Sequence, residues 1–545
     1  MQLESSGRLS KRIAGAIALC LVLPIVVGCT TKGSQPPANG TTDSAVQTLK
    51  IALNVEPTAL DPARVQDLYT SELLMNCFEG LVRVDKNNAI EPALAERWEL
   101  SPDGKTYTFH LRKNALFHNG RLLKAADVKY SWERAVAPQT ASPVAANYLE
   151  GVVGLKESVS GKSPDLTGIK VVDDLTLTVI LDRPRSYFLS MLAYTSNWIV
   201  CKEAVEGAGK NFGLKAMVGT GAFRMTEYLP GQRITMEAYT AYWGGAPKVG
   251  RLEFPILLST EAQYNSFSAS ELDIVGGIAP SRYAQNKVQG KFTAEYQNLP
   301  SANVVYFVMQ QERQPIFAKK EVRQAFACAI DRTKLIKVAN RGVAQLADGF
   351  VPPTLRGGAS YTSPLTYDPV KAKALLASAG YPDGKNFPAL TLSVVQHQPE
   401  TLEQATLIQS DLRANLGIDI KILEREAGEY FTAGNRREME CYLASWYADY
   451  PDPQNFLSTL LMTGAALNRS GYSSPKFDLL CRQADSERDT EKRAKLYAAA
   501  DTLLMEDVGV LPLSYSPRLL LVKQGVTGWQ SNACTLLPHF ATTKR

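Results

Sequence analysis

Ala95-Glu96-Arg97-Trp98-Glu99-Leu100-Ser101-Pro102-Asp103-Gly104-Lys105-Thr106-Tyr107-Thr108-Phe109-His110-Leu111-Arg112 is the stretch whose reading decides the fold. Tyr107, Phe109 and Leu111 alternate with Thr108 and His110, which predicts a strand with one buried face. Pro102-Asp103-Gly104 before it is a turn, because proline presets one backbone angle and glycine takes the left-handed one. The block therefore reads as two strands joined by a tight turn. Phe117-His118-Asn119-Gly120 follows, with Gly120 expected to end the second strand. Ala126-Asp127-Val128-Lys129-Tyr130-Ser131-Trp132 then opens a helix, where Asp127 is placed to cap it or to favour its positive end. Trp98 and Trp132 read as core aromatics rather than as ligand platforms.

Outward from this block the same mixture continues. Leu175-Thr176-Leu177-Thr178-Val179 and Ile418-Asp419-Ile420-Lys421-Ile422 alternate as strands do. Asp368-Pro369 starts a helix that Gly380 closes. A second helix carries Val322, Ala325, Phe326, Ala329 and Ile330 on one face. A third carries Leu402, Ala405, Ile408 and Leu412 and breaks at Gly417 before the Ile418 strand. Helix, glycine, strand is the order of α/β packing. Gly219 and Gly221 suit tight backbone turns where a Cβ would clash.

The N-terminus sets the compartment. Arg8, Lys11 and Arg12 precede an apolar run from Ile13 to Val27 that contains Pro24. The run is short for a membrane span and has the layout of a secretory signal. It ends in Val26-Val27-Gly28-Cys29, similar to the lipobox of bacterial lipoproteins, in which the cysteine thiol takes the lipid. Residues 1–28 read as a lipoprotein signal peptide and Cys29 as the lipidation site. Residues 29–45, with Gln35-Pro36-Pro37 and several Gly, Ser and Thr, cannot bury a core and read as a flexible tether. The expected localisation is extracytoplasmic, lipid-anchored to a bacterial membrane.

Composition narrows the function further. The formal charge of +5 over 545 residues is mild and spread along the chain, which argues against a nucleic-acid partner. Four histidines, His110, His118, His397 and His539, have no metal-ligand spacing, so no metal site and no cofactor are expected. There is no Gly-x-x-x-x-Gly-Lys, Gly-x-Ser-x-Gly or His-Glu-x-x-His. The chain does not read as an enzyme. Cys77, Cys201, Cys328, Cys441, Cys481 and Cys534 are too irregularly spaced for a zinc ribbon or a thioredoxin motif; outside the cytoplasm they can pair or stay buried as thiols.

The residues in order carry a resemblance. Glu56-Pro57-Thr58-Ala59-Leu60-Asp61-Pro62, Phe78-Glu79-Gly80-Leu81, the opening block, Gly219-Thr220-Gly221-Ala222-Phe223, Tyr242-Trp243-Gly244-Gly245, Ile330-Asp331-Arg332 and Gly380-Tyr381-Pro382-Asp383-Gly384 recur at matching spacing. Together they resemble the extracytoplasmic solute-binding proteins of peptide-type ABC importers, the oligopeptide- and dipeptide-binding proteins. The resemblance implies an α/β, two-lobed, hinged periplasmic-binding-protein-like fold with an additional inserted α+β domain. Lobe I would comprise 46–68, 199–303 and 516–545, the inserted domain 69–198, and lobe II 304–515. A monomer would close on an oligopeptide and deliver it to an ABC permease with its cytoplasmic ATPases.

It also implies where the ligand is read. Ser445-Trp446-Tyr447-Ala448-Asp449 matches a Trp-x-x-Asp segment whose carboxylate holds the peptide α-ammonium in relatives. Asp449 is therefore the expected ammonium partner, Trp446 a wall for ligand side chains, and Ser445 and Tyr447 main-chain contacts. Glu56 corresponds to an acidic residue near the ligand's N-terminal end. An arginine of some oligopeptide binders is Leu443 here, so Arg436, Arg437 and His397 are the candidates for a carboxylate contact. The alternative is a non-peptide solute, such as a nickel chelate, an oligosaccharide or haem, held by the same fold; a sensor or adhesin role is a third reading.

Overall fold

The hairpin is present in the computed structural model, which describes residues 47–545 apart from 214–216, 358–360, 362, 363 and 365. The signal peptide, Cys29 and the tether lie outside the described residues. Ala95–Leu100 pairs antiparallel with Thr106–Leu111. Ser101 N donates to Thr106 O at 2.9 Å, with Gly104 at φ 72° in the turn. Thr176–Ile180 and Ile169–Asp173 complete a four-stranded antiparallel sheet. The Ala125–Val136 helix packs on it through Trp132, which is fully buried and donates its indole N–H to Asn197 O at 2.9 Å.

One local reading here needs correction. The second strand stops at Leu111, because a turn at Lys113-Asn114 takes the chain off the sheet. Gly120, at φ 85°, turns a separate loop in which Phe117 N donates to Arg121 O. Asp127, in the first turn of its helix, caps it as expected. There its carboxylate accepts from Lys124 N at 2.9 Å and takes a two-pronged contact from Arg121 at 2.8 and 2.9 Å.

The rest of the chain forms two lobes of different sheet content. One holds a four-stranded sheet in the order Thr48–Lys50, Arg251–Pro255, Arg233–Ala238, Phe223–Leu229, with a three-stranded sheet of Ile274–Gly276, Arg518–Val522 and Tyr296–Leu299 beside it. The other is built on six strands, ordered Gln345–Leu346, Leu511–Tyr515, Asn303–Met309, Cys441–Tyr447, Leu390–Val395, Ile420–Arg425. Its core includes Phe307, Phe326, Leu392, Ile408, Leu412 and Tyr497. Asp368 caps Pro369–Ser378 by accepting from Lys371 N at 2.9 Å, and Lys320–Ala329 buries Val322, Ala325 and Phe326. Pro399–Leu416 ends at Gly417 (φ 69°), and Ile418 N returns to Leu412 O, so Ile418 belongs to the helix cap and the strand begins only at Ile420.

The chain crosses between the two lobes twice in neighbouring places. It leaves the three-stranded sheet at Leu299 and enters the six-stranded one at Asn303; it returns from Tyr515 to Arg518. Gly219 and Gly221 fit under the Asn76-Cys77 backbone, where a Cβ would lie 2.0 Å from Cys77 O and 2.5 Å from Asn76 O. The six cysteines are free thiols, five buried and Cys534 partly exposed.

Candidate functional site

A cavity of about 1660 Å³ opens where the lobes and the hairpin-bearing domain meet. Small-molecule pockets run to roughly 300–1,000 Å³, so this one has room for a longer ligand. One wall is the C-terminal end of the Cys441–Tyr447 strand and the turn after it. The strand pairs along its full length with Asn303–Met309 on one side. On the other, Leu390–Val395 reaches only Cys441 and Tyr442. From Ala444 to Tyr447 that edge has no partner strand among the described residues, and Trp446, Tyr447, Ala448 and Asp449 line the cavity beside it.

Asn455 organises this turn. Asp452 caps the Pro453–Asn455 turn by accepting from Gln454 N at 2.9 Å and is itself paired with Arg493 at 2.7 Å. Asn455 Oδ1 accepts from Trp446 Nε1 and from Asp449 N, both at 3.0 Å, and Asn455 Nδ2 donates to Asp449 Oδ2 at 3.1 Å. One amide thus fixes the ring of Trp446 and the carboxylate of Asp449 together. Tyr148, stacked on Tyr194 with ring centroids 3.6 Å apart, faces Asp449 from the inserted domain.

Burial raises the Asp449 carboxyl to about 6, while Asn455 and the Tyr148 hydroxyl pull it down. The side chain still touches the cavity but is enclosed by protein on its other sides. Of the other carboxylates on the cavity wall, Glu91 is paired with Arg83 at 2.6 Å and Glu150 with Arg185 at 3.2 Å, while Asp67 and Asp85 accept from the backbone at Thr70 N and Ala89 N, both at 2.8 Å. Asp485 is saturated by Tyr497 at 2.7 Å and Ser458 at 2.9 Å. Asp449 has no cationic partner among the described residues.

The structure distributes the other expected residues unevenly. His397, at φ 60°, lines the cavity. Ser445 is exposed on its strand and does not line it. Glu56 lies elsewhere: its carboxylate accepts from the Tyr228 hydroxyl at 2.5 Å and from Gly231 N at 3.1 Å, and the segment before it runs beside Arg251–Ile256. Arg436 follows the Ala427–Asn435 helix outside the cavity, and Arg437 is taken by Glu312. The reading of residues alone missed Tyr148, Tyr194, Asn455 and Arg469. Each is brought to the cavity by tertiary packing and carries no local motif.

The chain matches the family model of bacterial extracellular solute-binding proteins, family 5 (middle region), over residues 89–468. It is 29% identical to the periplasmic oligopeptide-binding protein of Escherichia coli (strain K12), over 97% of this chain and 95% of that one. It is 32% identical to the dipeptide-binding protein of the same organism, over 80% and 83%. Among solved structures, the ABC transporter-associated periplasmic binding protein from Helicobacter pylori in complex with the peptide STSA aligns with a TM-score of 0.77 and 27% identity, covering 91% of this chain and 98% of that one.

Proposed function

The chain belongs to the family 5 bacterial extracellular solute-binding proteins, and from that premise we propose that it captures peptides with a free amino terminus in the Asp449 cavity for an ABC importer. The observation that carries this reading is the unbalanced Asp449 carboxylate beside an open strand edge. An α-ammonium supplies the absent charge through a charge-assisted hydrogen bond. The peptide main chain lies along Ala444–Tyr447 as an added strand, so affinity comes from backbone groups that every sequence has. Trp446 and Tyr447 flank ligand side chains, and bridging water in the large cavity accommodates their variety. His397 is close enough to the cavity to take part.

The division into lobe I (46–68, 199–303, 516–545), inserted domain (69–198) and lobe II (304–515) is supported by the two chain crossings. Peptide closes the lobes because only the closed form lets both touch it. The closed monomer then docks on its permease. No helix of the described residues is long and apolar enough to cross a membrane. The Val26-Val27-Gly28-Cys29 motif supports a lipid anchor, which Cys29→Ser would release into the soluble fraction.

Calorimetry with alanine peptides and their N-acetylated twins tests the central claim. Free-amine peptides bind and the acetylated ones bind at least about tenfold more weakly, the loss of one buried charge-assisted contact. Equal binding of both, or binding of a non-peptide solute alone, would overturn it.

A further inference from the structure

Among the described residues, Cys534 is the one thiol that lines the cavity; Cys77, Cys201, Cys328, Cys441 and Cys481 are buried away from it. Cys534 stands on a short loop closed by the Ser531–Leu536 bridge. Ala533 N donates to Asn88 Oδ1 at 2.8 Å and Leu536 N to Glu72 Oε1 at 2.7 Å, which fastens the loop to the inserted domain. One residue of the first crossing also ties it to the Asp449 turn. Ala302 N donates to Ala533 O at 2.7 Å, and Ala448 N donates to Ala302 O at 2.9 Å. Cys534 and Asp449 thus each follow a residue held by Ala302, and the Asp449 charge acts on the thiol. Asn532 adds an independent sign of a ligand. Its Oδ1 accepts from Cys534 N and Thr535 N, both at 2.9 Å, which commits that end of the amide to the loop. Its Nδ2 has no acceptor among the described residues, although Asn532 is only 8% exposed and lines the cavity. A buried N–H left unpaired is costly, and a ligand carbonyl would remove that cost.

We infer that Cys534 is a thiol-exchange site for disulfide-bearing peptides, with Asn532 Nδ2 donating to a carbonyl of the half that stays bound. This rests on the peptide reading, since Asp449 holds the amine that brings the disulfide to the thiol. The step needs no reagent besides the ligand. The Cys534 thiolate attacks the nearer ligand sulfur, a mixed disulfide forms as the ligand's own S–S bond breaks, and the Cys534 proton leaves with the released thiol. The ligand disulfide is the oxidant, and its departing half is the reduced product. Burial, with the Asp449 carboxylate nearby, pushes the Cys534 thiol well up, so in the empty cleft it stays protonated and resists oxidation. An ammonium on Asp449 cancels that charge, and a bound disulfide meets the sulfur at high effective concentration. The site therefore reacts with a peptide that fits and spares a small disulfide that does not.

The test is intact-mass spectrometry with peptide mapping at pH 7.5. The probes are the disulfide dimers of Cys-Ala-Ala and Ala-Cys-Ala, their N-acetylated twins, and 2-hydroxyethyl disulfide as a small disulfide without an amine. The wild type gains one peptide half, mapped to Cys534, and releases one thiol per adduct; dithiothreitol reverses it. The better free-amine dimer reacts about tenfold or more faster than its acetylated twin and than 2-hydroxyethyl disulfide. Cys534→Ser forms no adduct. Asn532→Asp, which keeps the oxygen that holds the loop and loses the donor, reacts about tenfold or more slowly with the same dimer. If either variant fails to fold in a thermal melt, the mapped adduct and the rate ratios of the wild type decide. No adduct, an adduct mapped to another cysteine, equal rates for the three kinds of disulfide, or an unchanged rate in a folded Asn532→Asp overturns the exchange site. Calorimetry of the wild type with trialanine and N-acetyl-trialanine separates the two readings. Amine-dependent binding without the adduct leaves the peptide reading standing, and the absence of both overturns the two together.

Discussion

At the scale of the residue, the role proposed for Asp449 ties ligand recognition to stability. Its carboxyl titrates at about 6 in the native protein against an ordinary 3.8, because burial disfavours the charge. The native state therefore holds this proton over a range where the unfolded chain has lost it. The group's stabilising contribution is complete below about pH 4 and is lost as pH rises through about 6. Asp449→Asn should then raise the melting temperature of the free protein at pH 7.5, by the equivalent of roughly 1–2 kcal/mol once cavity water is allowed for. Binding runs the opposite way. Peptide affinity should fall as pH drops below about 6, where the carboxyl protonates while the ammonium stays charged, and Asp449→Asn should lose both that pH dependence and about thirtyfold or more in affinity. Calorimetry from pH 5 to 8 with a thermal melt of the variant checks both; a pH-independent wild type would remove Asp449 from recognition.

At the scale of the element, the Cys441–Tyr447 strand is unusual in where its pairing stops. Its first two residues are held on both edges and its last four on one. Paired fully it would be structural; unpaired on both edges it would not hold its shape. Half-paired, it is a rigid edge with hydrogen-bonding groups free for a ligand. Peptides N-methylated at one amide after another should show a loss of about tenfold wherever a ligand N–H faces this edge, against only few-fold effects of side-chain changes at the same positions. Uniform tolerance of N-methylation would mean that the main chain is not read here. The Ala125–Val136 helix illustrates the opposite case. Asp127, Arg121 and Lys124 satisfy one another, leaving nothing for a ligand.

For the whole molecule, the two crossings at 300–302 and 516–517 are where the chain passes from one lobe to the other. Contacts also span the cavity's far rim: Ser281 donates to Glu400 at 3.3 Å, and Ser186 N to Asp485 O at 3.0 Å. Ligand added to these favours the closed arrangement. A saturating free-amine peptide should shrink the radius of gyration in solution scattering and stabilise the fold by about 2.7 kcal/mol at one hundred times Kd. Stabilisation without any change of radius would point to a cleft that stays shut. Glu56, by contrast, is tied to Tyr228 and Gly231 inside one lobe.

Local sequence determined the elements and the family. Alternation fixes the Thr106–Leu111 strand, Asp368-Pro369 and Gly417 fix helix ends, and the Trp446-x-x-Asp449 spacing marks the turn proposed to meet the ligand, because periods, caps and turns depend on neighbours in the chain. The strand expected from Ile418 begins at Ile420, and the one expected to run to Gly120 ends at Leu111, since hydrogen bonds across a cap or off a sheet decide such boundaries. Only tertiary structure decided the site. Asp449 is chemically distinct from Asp452 not by its flanking residues but because Arg493, forty-odd positions on, neutralises the second and nothing neutralises the first. Arg437 and Arg469 look equally solvated as text; packing gives one a glutamate and leaves the other facing the cavity alone. Charge balance is a property of three-dimensional neighbours, and that is where the function of this chain resides.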